Sequence, residues 1–80
     1  MEATGQLPET GAEFRQAREG AGVAMADLVG PLGLSEITIS RIERGIKEVP
    51  TDLPQRYVEA LVSITAQRHQ AAKAVAGQAV

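Results

Sequence analysis

Residues 33–45 read GLSEITISRIERG, and this stretch predicts a short helix enclosed by two glycines. Ser35 is a favourable N-cap, because a serine hydroxyl accepts a hydrogen bond from a backbone N–H in the first turn of a helix. Gly45 is the residue type that most often follows the end of a helix. The apolar residues that share the inner face are Leu34, Ile39 and Ile42. We therefore expect a helix over residues 35–44 that is buried on one side and exposed on the other.

A first helix is predicted upstream of this stretch. Thr10 and Glu13 have the Thr-x-x-Glu spacing of a capping box, in which each side chain accepts a hydrogen bond from the backbone of the other residue. The helix should run from about residue 11 to 19 and end at Gly20 and Gly22. Its inner face is formed by Phe14, Ala17 and Ala21.

A second helix should begin near Met25. Its inner stripe is formed by Leu28, Val29 and Leu32. Pro31 lies beyond the first turn, where proline removes a backbone hydrogen bond and clashes with the carbonyl four residues earlier. The residue before a proline, here Gly30, is also disfavoured in the α conformation. We expect this helix either to stop near Val29 or to kink there.

A fourth helix should begin near Asp52 or Pro54. A wide apolar stripe follows, formed by Leu53, Tyr57, Ala60, Leu61 and Ile64. Residues 66–80 are rich in alanine and glutamine and predict a tail that is either helical or disordered. Residues 1–9 predict a flexible lead, so the folded domain is expected over residues 10–65.

The composition excludes several classes of protein. The chain has 80 residues, which suits one domain with a small core. It has no cysteine and a single histidine, His69, so neither a disulfide framework nor a metal site is expected. We expect neither a membrane span nor a secretory signal, and therefore a cytoplasmic protein. No nucleophile–base set and no phosphate-binding glycine loop is present, which predicts a non-enzyme without a cofactor.

The charge is distributed unevenly. The net charge is −2 and the pI about 5.3, which disfavours a protein that coats nucleic acid indiscriminately. Residues 1–34 carry a net charge of −3, and residues 48–80 are balanced. Residues 35–47 form the only locally positive segment, at +1. The locally positive segment is therefore the predicted third helix with the residues just after it, and it is only weakly positive.

Two short helices, a glycine turn and a third helix form a helix-turn-helix pattern. In detail, residues 14–61 resemble the Cro/repressor-type helix-turn-helix domain of phage repressors and bacterial xenobiotic-response-element regulators. The resemblance implies an all-α fold, a four- to five-helix bundle of the lambda-repressor-like type with a C-terminal helix that extends and frays. The residues that match the family's motif are Arg18, Gly22, Leu28, Gly33, Leu34, Ser35, Ile39, Ser40, Ile42, Glu43 and Gly45.

The chain departs from the family's pattern in the second helix. Ala24 stands where the family has a polar N-cap, and Met25 stands where it has a glutamine that contacts the DNA backbone. Val29 replaces a small alanine, and Gly30-Pro31 replaces ordinary helical residues. These changes weaken the second helix as a phosphate contact.

The resemblance also implies that the third helix enters the major groove of DNA. The implied DNA-binding residues are Ser35, Glu36, Ile37, Thr38, Ser40, Arg41, Arg44 and Lys47. Arg41 would pair with guanine, Glu36 would accept a hydrogen bond from a cytosine amino group, and Ile37 would touch a thymine methyl. Arg44 and Lys47 match the region where the family contacts backbone phosphate.

Plainer interpretations stand beside these. Glu36 is equally well explained as a solvated carboxylate in the first turn, which suits the helix dipole. Ile37 is either a methyl contact or part of a protein-binding patch. Arg18 and Glu43 match two family positions that form a partly buried ion pair between the first and third helices.

The function implied is that of a sequence-specific transcriptional regulator that binds double-stranded DNA, a repressor or small Cro-like control protein of a phage or prophage. A homodimer is expected on a near-palindromic site. The predicted dimer face comprises Tyr57, Leu61, Ile64 and Arg68. The alternative is a protein-interaction module on the same fold: an antirepressor, an antitoxin or a modulator of another regulatory protein.

Overall fold

The protein forms four α-helices in a computed structural model that describes residues 7–78, with side chains through residue 71. The helices are α1 (Gly11–Gly20), α2 (Met25–Leu32), α3 (Glu36–Glu43) and α4 (Leu53–Gln78). No strand occurs within residues 7–78. The predicted all-α class is therefore confirmed, with four helices. Residues 1–6 of the predicted lead and 79–80 of the predicted tail lie outside the described residues.

Helix α1 begins at the predicted capping box. The backbone N–H of Glu13 donates to Thr10 Oγ1 at 3.2 Å, and the N–H of Thr10 donates to Glu13 Oε1 at 3.2 Å. Gly11, the first helical residue, is buried against the end of α3, where an added Cβ would overlap the carbonyl oxygens of Ile42 and Glu43. The absence of a side chain at Gly11 therefore lets these two helices meet.

Helix α2 does not stop near Val29, because it continues through Pro31 to Leu32. Two features reduce the cost of this proline. Gly30 has no Cβ to clash with the proline ring. Pro31 is also the last residue but one of the helix, so only Leu32 follows the turn that the proline disturbs. Gly33 then adopts a left-handed conformation with φ of 66°, and this forms the turn into α3.

The core lies where all four helices meet. α2 packs on α3 and α4, and α1 packs on the same two helices. The buried apolar residues are Phe14, Val23, Leu28, Leu32, Ile39, Ile42, Leu53, Tyr57, Ala60 and Leu61. The rings of Phe14 and Tyr57 form a tilted pair with centroids 4.7 Å apart, a favourable aromatic geometry. The inner stripes expected from the sequence are thus brought together in one cluster.

The structure contradicts the predicted dimer face at Tyr57 and Leu61. Tyr57 and Leu61 are only 1% and 6% exposed, because they belong to the core of a single chain. Ile64 is half-buried and packs against the same core. Arg68 forms hydrogen bonds with Gly22 and Asp27 of its own chain. This stripe belongs to a helix that packs along α2 of the same chain, from Arg56 at Leu32 to Arg68 at Gly22.

Helix α4 is the longest element, at 26 residues. At about 1.5 Å per residue it measures roughly 39 Å. Near its start, Arg56 Nη2 donates to the carbonyl of Leu32 at 2.6 Å, which fixes the end of α2. Among the described helices, none combines the length and the apolar character that crossing a membrane requires.

Candidate nucleic-acid interface

Helix α3 is presented to solvent along one side. Ser35 caps its N-terminus, as predicted: Thr38 N–H donates to Ser35 Oγ at 3.1 Å, and the Ser35 hydroxyl donates to Thr38 Oγ1 at 2.9 Å. Ile39 and Ile42 anchor the opposite side in the core. The residues of α3 that remain exposed are Glu36, Ile37 and Arg41, followed by the C-cap residue Arg44. The Ser35 hydroxyl therefore both accepts and donates within the cap, and the Thr38 hydroxyl accepts from it.

The predicted ion pair between Arg18 and Glu43 is present and holds α3 on its buried side. Arg18 Nε donates to Glu43 Oε2 at 2.8 Å, and Arg18 Nη2 donates to Glu43 Oε1 at 2.9 Å. Arg18 Nη1 also donates to the carbonyl of Val23 at 3.0 Å. The hydroxyl of Tyr57 donates to Glu43 Oε2 at 2.7 Å. Glu43 thus ties α1, α3 and α4 together, and its charge is directed away from the exposed face.

These contacts shift the titration of the groups involved. Burial by itself would raise the pKa of Glu43, but the hydrogen bonds from Arg18 and Tyr57 outweigh it and hold that pKa below its usual range. Burial and the hydrogen bond to Glu43 raise the pKa of the Tyr57 hydroxyl. The hydrogen bond to Glu43 raises the pKa of Arg18. At neutral pH, the network is therefore a carboxylate that accepts from a guanidinium and from a neutral phenol.

Three basic side chains lie on or just after α3. Arg41, Arg44 and Lys47 are all exposed. Within residues 7–71, none of them lies within ion-pair distance of an acidic group. Arg15 of α1 differs, because its Nε lies 3.0 Å from Glu19 Oε2. The positive charge available to a polyanion is therefore concentrated at α3 and the loop that follows it.

An open groove of about 350 Å³ runs between the start of α2 and the exposed face of α3. It is lined by Met25, Glu36, Ile37, Ser40 and Arg44. A smaller recess of about 150 Å³ adjoins it towards α1 and is lined by Arg15, Arg18, Met25, Ser40, Glu43 and Arg44. Met25, Ser40 and Arg44 line both, so the groove and the recess adjoin each other beside α1, α2 and α3.

The start of α2 is held by contacts that the sequence did not predict. Ala24, the N-cap, has no polar side chain, but its backbone N–H donates to Asp27 Oδ2 at 3.0 Å. Arg68 Nη2 donates to the same oxygen at 2.6 Å, and Arg68 Nη1 donates to the carbonyl of Gly22 at 2.9 Å. The hydrogen bonds from Ala24 and Arg68 lower the pKa of Asp27. Arg68 therefore positions α2 within its own chain.

Only four of the eight predicted DNA-binding residues line the same groove. Glu36, Ile37, Ser40 and Arg44 line the groove together, and the neighbouring Met25 completes it. The predicted residues that do not line it are Ser35, Thr38, Arg41 and Lys47. Ser35 and Thr38 satisfy each other at the helix cap. The role of Met25 in the groove was missed, although its position next to the N-cap of α2 was a signal for it.

Comparison with known proteins supports this architecture. No curated protein and no solved structure matched the chain. A family model described as a helix-turn-helix domain matches residues 9–75, which is most of the sequence. Domains of this family are typically binding modules and not enzymes. The chain therefore belongs to the helix-turn-helix domain family, whose fold is that of DNA-binding regulators in general.

Proposed function

We propose that this protein is a sequence-specific transcriptional regulator of the Cro/repressor type, with α3 in the major groove of double-stranded DNA. The observation that carries the proposal is the cluster of Arg41, Arg44 and Lys47 around the exposed side of α3. In a chain with a net charge of −2, this arrangement directs positive charge to the helix that such domains insert into the groove. A phage or prophage control protein in the bacterial cytoplasm fits this fold.

A homodimer is part of the proposal. Two α3 helices would enter successive major grooves, about 34 Å apart, on a near-palindromic operator. The dimer contact cannot use Tyr57 or Leu61, which are buried. An exposed apolar residue that remains for such a contact is Val62, which is 61% exposed.

The test is a binding titration against DNA recovered by selection from a random duplex library. If Arg44 and Lys47 each neutralise a phosphate, log K should fall with log salt with a slope of about −1.8 per protomer. Arg41→Ala should relax sequence preference, whereas Lys47→Ala should weaken all sequences about equally. The matched control is Arg15→Ala, because Arg15 is already paired with Glu19. Absence of binding at low salt would refute the proposal.

A second function is favoured by one observation, the 64% exposure of Ile37. An isoleucine so exposed, next to a carboxylate that repels phosphate, also suits a protein-binding surface. In this alternative, the chain is an antirepressor, an antitoxin or a modulator that binds another regulator through α3. Binding to a protein partner that Ile37→Ala abolishes, together with absence of DNA binding at low salt, would favour this function over the first.

A further inference from the structure

Part of the groove between α2 and α3 differs in chemical character from the basic cluster, which shares Arg44 with it. Met25 and Ile37 give this part an apolar wall and Glu36 gives it a carboxylate, whereas Ser40 and Arg44 complete the lining. A thioether and an alkyl side chain offer no hydrogen-bond donor, and an ionised carboxylate only accepts. Met25, Glu36 and Ile37 therefore disfavour phosphate, and a DNA duplex seated on α3 would place base edges over these three residues.

Only some base edges fit a carboxylate that lies next to an apolar wall. In the major groove, cytosine presents its N4 amino group as a donor, whereas adenine presents an amino group beside the N7 acceptor. An acceptor at N7 repels a carboxylate. Beside its amino group, cytosine instead has the C5 position, which carries a hydrogen or, when modified, a methyl group. Glu36 and Ile37 are consecutive residues that line the same groove, so together they match an amino group with an adjacent methyl.

We propose that the groove lined by Met25, Glu36 and Ile37 reads a cytosine amino group together with an adjacent C5-methyl group. The methyl comes either from the same base, as 5-methylcytosine, or from a thymine stacked next to that cytosine. Glu36 accepts from N4, and the side chains of Ile37 and Met25 enclose the methyl. This inference rests on the proposed DNA-binding function and adds to it the class of base step that is recognised.

The experiment uses the full chain and a duplex selected from a random library, measured by fluorescence anisotropy at fixed salt. In one arm, the contacted cytosine is replaced by 5-methylcytosine. In the other, the adjacent thymine is replaced by uracil, which removes only the methyl. Burial of one methyl corresponds to about a fourfold change in affinity. We expect methylation to strengthen binding, or uracil to weaken it, by about this factor, and the arm that responds identifies the source of the methyl.

Two variants assign the effect to the groove. Ile37→Ala should lose the dependence on the methyl, whereas Ile46→Ala should keep it. The control is matched, because Ile37 and Ile46 are 64% and 66% exposed and only Ile37 lines the groove. Glu36→Gln should shift preference from cytosine to adenine by roughly tenfold, because an amide both accepts and donates. Glu48→Gln, at an exposed position outside the groove, should leave the preference unchanged.

The outcomes separate this inference from the function on which it rests. Tight, salt-dependent binding that is insensitive to both methyl changes would overturn the inference and leave DNA binding in place. So would a Glu36→Gln variant that retains its preference for cytosine. If no duplex binds even at low salt, the proposed function fails, and the inference fails with it.

Discussion

The ion pair behind α3 leads to a quantitative prediction for the substitution Glu43→Gln. Glu43 is 7% exposed and accepts three hydrogen bonds, two from Arg18 and one from Tyr57. Glutamine keeps the shape but has only one oxygen. If that oxygen faces Arg18 Nε and the tyrosine hydroxyl, the amide nitrogen replaces Oε1, which lies 2.9 Å from Arg18 Nη2. The amide N–H of the glutamine then faces the N–H of Arg18 Nη2, so two donors oppose each other. The positive charge of Arg18 also loses the carboxylate that neutralised it.

The expected cost follows from the burial of this pair. Removing one partner of a buried ion pair typically destabilises a protein by about 3–5 kcal/mol. A domain of 80 residues has a free energy of unfolding of about 4–12 kcal/mol in total. Urea unfolding followed by circular dichroism at pH 7 should therefore show a midpoint lower by about 3 M, assuming a slope of about 1 kcal/mol per M. Glu36→Gln, at an exposed carboxylate, should leave the midpoint nearly unchanged.

The same variant predicts a change in pH dependence. The pKa of Glu43 is lower in the folded protein than in the unfolded chain, where it is about 4.3. Its contribution to the free energy of unfolding is therefore fully present above about pH 4.3 and is lost as the pH falls through the folded value. The amide of the Glu43→Gln variant does not titrate, so the difference in stability between the wild type and this variant should narrow in acid.

Two results would contradict this reasoning about Glu43. One is a destabilisation below about 1 kcal/mol at pH 7, and the other is a difference that stays constant between pH 7 and pH 3. If Glu43→Gln does not fold, Tyr57→Phe provides a milder test. It removes one hydrogen bond to the carboxylate, at a cost of about 1.5 kcal/mol, and keeps the aromatic pair with Phe14.

Four further substitutions test the packing, each by its urea midpoint. Gly11→Ala should destabilise the protein by about 3 kcal/mol, because the new Cβ would overlap the backbone at the end of α3. Gly20→Ala is its matched control and should stabilise by about 0.5–1 kcal/mol, since it lies in α1 with nothing near its Cβ. Pro31→Ala should stabilise α2 by about 1 kcal/mol by restoring a hydrogen bond. Arg56→Ala should cost about 1 kcal/mol, because its 2.6 Å hydrogen bond to Leu32 is lost.

Much of the fold could be predicted because its signals are local. The capping box at Thr10 and the cap at Ser35 each depend on residues three positions apart, and both are present. The contact between Arg68 and Asp27 joins residues 41 positions apart, so it could not be predicted from a local sequence pattern. From sequence alone, Arg68 continues the stripe of α4 that predicts a dimer face. Only the packing of α4 across α2 shows that its guanidinium has partners within the chain.

The continuation of α2 through Pro31 has a similar explanation. The general penalty for proline applies to a helix interior, where a hydrogen bond and a carbonyl are both disturbed. The sequence did not reveal that Pro31 lies next to the helix end, because that end is fixed from outside α2. The Leu32 carbonyl accepts from Arg56, and Gly33 turns the chain with φ of 66°. Tertiary contacts thus extended a helix that local preference would have ended earlier.

The net charge of −2 does not show which charged side chains are paired with each other. Four basic side chains of the described residues are paired within the chain, as Arg15–Glu19, Arg18–Glu43, Arg56–Asp52 and Arg68–Asp27. A paired acid contributes little field at a distance, because its partner cancels it and salt screens the remainder. Arg41, Arg44 and Lys47 have no such partner among the described residues, so the field near α3 is more positive than the net charge suggests. Glu36 is the acidic side chain on that face. The effect of Glu36 on the salt dependence of DNA binding therefore distinguishes a base contact from a protein-binding surface.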